Sequence, residues 1–186
     1  MNIEKIQLIG IGSASVKILN KFKLRYPYMT SIAIDFNKDI LSKSDSDKKI
    51  LLIDNYSINP GADMCYGVKF SNQIEEEILK AVDKSKNIIL VAALGDGCNG
   101  GVFSLSKMLL HNGINISAAL LSTPFRFEGR RRKNLGIFTF LNMQSICKVI
   151  SVDYDDIVIS SGMTLREIFS MADSKFLDVF AKFIDR

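Results

Sequence analysis

Six short runs rich in Ile, Val, Leu and Ala alternate along the chain with longer segments in which apolar residues recur at helical spacing. Most of the short runs show little alternation of apolar and polar positions, as is typical of strands buried on both faces. The pattern predicts strands at Lys5–Ile11, Ser31–Asp35, Lys49–Ile53, Asn87–Ala93, Ile116–Ser122 and Cys147–Val152. It predicts helices at Val16–Lys23, Asn72–Lys84, Val102–Asn112, Arg130–Met143 and Thr164–Ile184.

This order of elements is that of repeated βαβ units, and it indicates an α/β fold. We expect a Rossmann-like three-layer sandwich in which one mostly parallel, six-stranded sheet carries helices on both faces. The sequence shows no internal repeat, no low-complexity segment and no linker, so residues 1–186 are predicted to form a single domain.

Composition narrows the class of protein further. With 47% hydrophobic and 24% charged residues the chain is predicted to be globular, and no apolar run reaches the roughly 20 residues of a membrane span. The N-terminus lacks the pattern of a secretion signal, so we expect a cytoplasmic protein. Three scattered cysteines (Cys65, Cys98 and Cys147) indicate neither a disulfide framework nor a metal site. A net charge of +4 does not indicate nucleic acid, and the basic run Arg126–Lys133 is typical of a solvated helix face.

Two glycine-containing turns connect a predicted strand with a predicted helix. "GIGSAS" (Gly10–Ser15) follows the first strand and "GDGCNGG" (Gly95–Gly101) follows the fourth. Ligands of parallel sheets bind at the carboxyl ends of the strands, where helix N-termini attract anions, so two such turns suit a polyphosphate. The alternative is that the glycines only permit tight turns. A nicotinamide dinucleotide site is a further alternative, resting on Gly10, Gly12 and Asp35 alone.

Four segments resemble the FtsZ/tubulin GTPases. "IQLIGIGSASVKILNKF" resembles their first strand, glycine turn and first helix, and "GDGCNGG" stands in the place of the tubulin signature GGGTGTG. "STPFRFEGRRR" (Ser122–Arg132) resembles the FtsZ segment TKPFxFEGxxR, and the spacing from Asp153 to "TLREIFSMAD" (Thr164–Asp173) also resembles FtsZ. The likeness covers essentially the whole chain and implies the nucleotide-binding domain of that family.

The resemblance implies that GTP or GDP is the ligand, with Mg²⁺ as a candidate companion. In the family, the residues matching Glu128 and Arg132 contact the ribose, and those matching Phe169 and Asp173 contact guanine. The alternatives are core packing for Phe169 and a solvated helix face for Asp173. The loop that senses the terminal phosphate corresponds to "NPGADMCYG" (Asn59–Gly67). The expected nucleotide contacts are Gly10, Gly12, Ser13, Lys17, Gly61, Ala62, Gly95, Asp96, Gly97, Cys98, Asn99, Gly100, Gly101, Glu128, Arg132, Phe169 and Asp173.

Several positions depart from the family pattern. Cys98 and Gly100 replace both threonines of the tubulin signature, Asp96 and Asn99 stand at glycine positions, and Lys17 replaces an Asn that contacts guanine. The carboxylate of Asp96 would repel a phosphate about 4 Å away by roughly 1 to 4 kcal/mol, unless Mg²⁺ or an outward rotamer relieves it.

The acidic catalytic loop of the family and its second domain would follow Arg186. We therefore assign no catalytic or metal-ligating residue and expect little GTP hydrolysis by this chain alone. The expected partner besides guanine nucleotide is full-length FtsZ or another filament subunit. The alternative function is a degenerate FtsZ-like module that no longer binds nucleotide and regulates division proteins.

Overall fold

A computed structural model describes residues 2–52, 70–95 and 99–185, with only the backbone course described for residues 99 and 100. The strands are β1 (Ile6–Ile11), β2 (Thr30–Asp35), β3 (Lys48–Leu51), β4 (Asn87–Ala93), β5 (Ile116–Thr123) and β6 (Val149–Asp153). The helices are α1 (Ser13–Arg25), α2 (Lys38–Ser42), α3 (Asn72–Ala81), α4 (Asn99–His111), α5 (Arg130–Gln144) and α6 (Leu165–Ile184). Short 3₁₀ turns occupy Ile3–Lys5, Arg126–Glu128 and Tyr154–Asp156.

The six strands form one sheet in the order β3-β2-β1-β4-β5-β6, and every strand pair is parallel. The predicted α/β class and the six strands are confirmed, and the sheet is wholly rather than mostly parallel. Strands β2 and β3 lie on one side of β1, and strands β4, β5 and β6 lie on its other side. The neighbours β1 and β4 therefore flank the point where the strand order reverses, which is where parallel sheets bind ligands.

Two apolar clusters, one on each face of the sheet, make the core. α1, α2 and α6 cover one face, where Phe22 of α1 and Phe180 of α6 meet edge to face with ring centroids 5.0 Å apart. α3, α4 and α5 cover the other face. Because both faces are covered, β1 and β4 are buried almost along their whole length, which explains their continuous apolar sequence.

Some element ends differ from the sequence prediction. The five-residue α2 was not predicted; its N-cap Asn37 accepts hydrogen bonds from the backbone of Asp39 and Ile40. α3 ends at Ala81 rather than Lys84, because the buried side chain of Gln7 donates to the Ala81 carbonyl and accepts from the Asp83 N–H. Such a long-range cap leaves no local trace in the sequence.

The predicted boundaries of β3 and β6 also shift. β3 runs from Lys48 to Leu51, and Ile53, the predicted last residue, lies outside the described residues. β6 begins at Val149 rather than Cys147. Within the described ranges, none of the helices combines the length and apolarity needed to cross a bilayer.

Candidate functional site

The first glycine turn connects β1 with α1 at the carboxyl end of the sheet. Gly12 is the N-cap of α1 with a φ of 96°, a conformation that glycine adopts without strain. Its N–H donates to the Ile34 carbonyl on β2 (2.9 Å), and its carbonyl accepts from the Val16 N–H (3.1 Å). Glycine has no side chain to close the first turn of α1, so N–H groups of that turn can face an anion. Ser13, a predicted nucleotide contact, begins this turn.

Gly10 and Ser15 allow α1 to pack closely on β1. A Cβ atom at Gly10 would lie 2.8 Å from Cδ1 of Leu19, so a larger residue there would require the Leu19 side chain to shift. Ser15 is buried, and its hydroxyl donates to the Ile11 carbonyl at 2.8 Å. A serine at the third position of the glycine pattern therefore fits this turn. The predicted contact Gly10 is explained by packing between the helix and the strand.

The second glycine turn begins at Gly95, just after β4. Gly95 has a φ of 95°, and a Cβ atom there would lie 2.3 Å from Cγ of Pro124. Gly136 of α5 approaches the same proline, because a Cβ atom at that position would lie 2.8 Å from Cδ. Pro124 thus fills the space between the second glycine turn and α5. This fixes the "PFRFEG" segment against the start of the turn.

The two turns lie side by side because β1 and β4 are hydrogen-bonded neighbours, with Gly10 in register with Val91. α4 begins at Asn99, and Gly101 is buried in its first turn. The N-termini of α1 and α4 therefore both lie at the carboxyl edge of adjacent strands. Asp96, Gly97, Cys98, Gly61 and Ala62 lie outside the described residues, and the side chain of Asn99 is not described. Gly100 is likewise described only by its helical backbone.

Glu128 and Arg132 form an ion pair one helical turn apart. One carboxylate oxygen of Glu128 accepts from the Phe125 N–H at 2.9 Å, and the other accepts from Nη1 of Arg132 at 3.0 Å. The Glu128 side chain is nearly buried, whereas that of Arg132 is 54% exposed. A guanidinium carries five N–H donors, so Arg132 keeps donors for a ligand while Glu128 fixes its orientation.

A cluster of aromatic rings joins this segment to α6. The rings of Phe125 and Phe127 stack at 4.7 Å, and Phe169 meets them edge to face at 5.7 and 6.4 Å. Phe125 is buried, but Phe127 is 52% and Phe169 38% exposed. Core packing therefore does not account for Phe169, which keeps part of its ring accessible. Phe127 is an exposed ring at this place that was not predicted as a site residue; its position two residues after Phe125 in "PFRFEG" is the sequence signal for it.

Asp173 lies one turn after Phe169 on α6 and is half-buried, not on a solvated face. Burial, opposed by the positive charges of Lys21 and Lys17, raises the pKa of Asp173 to about 6. Lys21 is held in place because its ammonium group donates to the Ser170 carbonyl at 2.6 Å and to other oxygens of α6. The exposed Lys17 lies one turn before Lys21. The carboxylate of Asp173 thus lies near the positive charges of two α1 lysines, Lys17 and Lys21. Of these two, only Lys17 was predicted as a site residue.

Asp35, on which the dinucleotide alternative rests, lies at the end of β2 and is only 2% exposed. One carboxylate oxygen accepts from the Asn37 N–H at 2.8 Å, which closes a turn. Among the described residues the other oxygen has no hydrogen-bond partner. This burial disfavours Asp35 as a ribose ligand.

The basic run is partly neutralised by Asp155. Arg126 donates to its carboxylate through the backbone N–H at 3.0 Å and through Nε at 3.1 Å, and Lys133 donates at 3.1 Å. Burial opposes ionisation of Asp155, but these hydrogen bonds and the charge of Lys133 outweigh it and lower its pKa. In the described part of the chain, no three His, Cys, Asp or Glu side chains are grouped so that they could hold a metal ion.

No protein-family model matches the chain. Solved structures do match its fold. An FtsZ mutant from M. jannaschii superposes with a TM-score of 0.77 at 21% identity, covering 94% of this chain and 54% of the FtsZ chain. CetZ2 from Haloferax volcanii, solved as a GTPγS-bound protofilament, gives 0.76 at 21% identity, covering 94% of this chain and 58% of the other.

TubZ from Clostridium botulinum phage c-st gives a TM-score of 0.76 at 14% identity and covers 98% of this chain and 61% of the TubZ chain. The chain therefore spans between about half and three-fifths of the length of these structures. Its fold is that of the FtsZ/tubulin nucleotide-binding domain, and the resemblance predicted from the sequence is confirmed at the level of the fold.

Proposed function

We propose that the chain binds a guanine nucleotide, GTP or GDP, across the carboxyl ends of β1 and β4. Two helix N-termini at this edge offer backbone donors to phosphates, which requires no particular side chains. Arg132, oriented by Glu128, would donate to the ribose. The exposed ring of Phe169 offers a surface for the base, and Asp173 offers a carboxylate to its N1–H and amino group.

The observation that carries this proposal is the placement of the Pro124–Arg132 segment. Pro124 packs on Gly95 in the second glycine turn, Phe125 meets Phe169 of α6, and Arg132 pairs with Glu128. Residues far apart in the sequence, which are the proposed contacts of phosphate, ribose and base, are thereby joined by direct packing contacts at one edge of the sheet. The fold shared with FtsZ, CetZ and TubZ supports the same reading.

The first test identifies any nucleotide released when the purified protein is denatured and then measures affinities by titration calorimetry. We expect GDP and GTP to bind in preference to ADP and ATP. Arg132→Ala should weaken binding of both guanine nucleotides by about tenfold, the loss of a charged hydrogen bond. It should lower the melting temperature only slightly, because Arg132 is about half exposed and Glu128 keeps the hydrogen bond from the Phe125 N–H.

The matched control is Arg25→Ala, which removes an equally exposed arginine paired with Asp178 on the surface of α1 and α6. It should leave the affinity unchanged. If none of the four nucleotides binds, the proposal is wrong, and the alternative of a module that no longer binds nucleotide replaces it. Mg²⁺ is expected to accompany GTP, which repeating the titrations with and without Mg²⁺ would reveal.

A further inference from the structure

Phe127 is a large aromatic residue that folding leaves half uncovered. It is 52% exposed, whereas Phe125, two residues earlier, is only 1% exposed. A single exposed phenylalanine needs no explanation by itself. Phe127, however, directly precedes Glu128 of the proposed ribose-contacting pair, and its ring meets Phe169, the proposed base contact. The ring therefore adjoins two parts of the proposed nucleotide site.

The three rings are arranged so that Phe169 leaves one face of Phe127 uncovered. Phe127 stacks on Phe125 with ring centroids 4.7 Å apart and ring planes inclined by 17°, which covers its inner face. Phe169 lies 5.7 Å from Phe125 and 6.4 Å from Phe127, with its plane steeply inclined to both. Because Phe169 is closer to Phe125 than to Phe127, it stands beside the stack rather than on top of it. The face of Phe127 turned away from Phe125, here called the outer face, thus forms a corner with Phe169.

Phe127 is held in place although it is exposed. On its N-terminal side, Arg126 donates to the carboxylate of Asp155 through its backbone N–H at 3.0 Å and through Nε at 3.1 Å. On its C-terminal side, the carboxylate of Glu128 accepts from the Phe125 N–H at 2.9 Å. The stack on the buried ring of Phe125 restricts the rotamer of Phe127 itself. An aromatic ring that is fixed before binding loses little conformational entropy when a ligand covers it.

The corner between Phe127 and Phe169 suits a flat heteroaromatic ring. Aromatic rings prefer offset-stacked or perpendicular arrangements. A ligand ring on the outer face of Phe127 would make both, stacked against Phe127 and steeply inclined to Phe169. Stacking of a nucleobase on an aromatic side chain depends little on which base it is, because every base has a π-face. Such a contact therefore adds affinity without adding selectivity.

We propose that Phe127 is a second aromatic contact for the base of the bound nucleotide, and that the base stacks on its outer face in the corner with Phe169. This inference rests on the proposed nucleotide binding. It divides the recognition of the base between two kinds of residue: Phe127 contributes affinity, whereas Asp173 contributes the preference for guanine.

The chain contains no tryptophan, so Phe127→Trp places a single fluorescent reporter at this ring. A nucleobase stacked on an indole quenches its emission, so GDP should quench the signal and saturate it with the dissociation constant that calorimetry gives. Phe138→Trp is the control, because Phe138 is 55% exposed but lies in the second half of α5, outside this cluster of rings. Its emission should not change. Equal quenching of the two reporters would overturn the proposal.

Titration calorimetry gives the magnitude. Phe127→Leu should weaken the binding of GDP and of inosine diphosphate by the same factor, about tenfold, the contribution of one stacked aromatic side chain. Phe127→Tyr, which keeps a ring, should retain most of the affinity, and Phe138→Leu should retain all of it. Unchanged GDP affinity in Phe127→Leu, or an equal loss in Phe127→Tyr, would overturn this proposal and leave the nucleotide site standing. If the unaltered chain binds no guanine nucleotide, both fall.

Discussion

Replacing Asp173 by Asn should stabilise the nucleotide-free protein near neutral pH. In the unfolded chain this carboxyl ionises near its ordinary pKa of 3.8, whereas burial raises the pKa to about 6 in the folded state. The folded protein therefore binds this proton more tightly than the unfolded chain does. Ionised Asp173 costs stability above pH 6, and the cost fades as the pH falls through 6 and is absent below about pH 4.

A difference of about two pKa units corresponds to about 3 kcal/mol. Asp173 is only half-buried, and asparagine keeps some of the desolvation cost, so we expect a gain of about 1 to 2 kcal/mol at pH 8. For a domain of this size that is a rise in melting temperature of about 3 to 8 °C. The same variant should weaken the preference for guanine over adenine, because the amide replaces one acceptor oxygen of the carboxylate by an NH2 donor, which would face a donor group of guanine.

The assay is thermal and urea unfolding of the nucleotide-free protein at pH 8 and pH 4.5. Asp178→Asn is the matched control, since this aspartate is on the same helix but 66% exposed and paired with Arg25 at 3.5 Å. Its effect should stay within about 0.5 kcal/mol at both pH values. A destabilised Asp173→Asn variant at pH 8, or an equal gain at pH 4.5, would refute the argument from burial.

A further prediction concerns the second glycine turn. Gly95→Ala should destabilise the fold by more than 2 kcal/mol in urea unfolding, because its Cβ would overlap the ring of Pro124 at a positive φ. The control Gly113→Ala has a φ of 73° and nothing within 4 Å of its Cβ, so it should cost only about 1 kcal/mol. Equal costs for the two variants would contradict the clash with Pro124.

The sheet could be predicted from the sequence because its strands are buried on both faces and read as continuous apolar runs. The other five helices could be predicted from the helical spacing of their apolar residues, whereas α2 has only five residues, too few to show such a spacing. The two glycine turns were also predictable, since each follows a strand and precedes a helix. Their position side by side then followed from the parallel order of β1 and β4.

The contacts that assemble the site were not predictable in the same way. Phe125 meets Phe169 and Lys21 reaches Ser170 across long stretches of sequence, so no local pattern encodes either contact. The half-burial of Asp173 depends on how α6 lies against α1, which a helical period does not specify. The sequence motif identified which residues were involved, whereas the packing of the helices determined their exposure and charge environment.

Pro124 couples Gly95 and Gly136, which lie far apart in the sequence but contact the same ring. A side chain at position 95 or at position 136 needs the space that the proline ring occupies, so the ring keeps this position only while both residues lack a Cβ. Substitution at one of the three positions is therefore not independent of the others. The effects of substitutions at Gly95, Pro124 and Gly136 on stability are therefore expected to be non-additive, and the residues that the second glycine turn can accept at its start are limited by a residue of another loop.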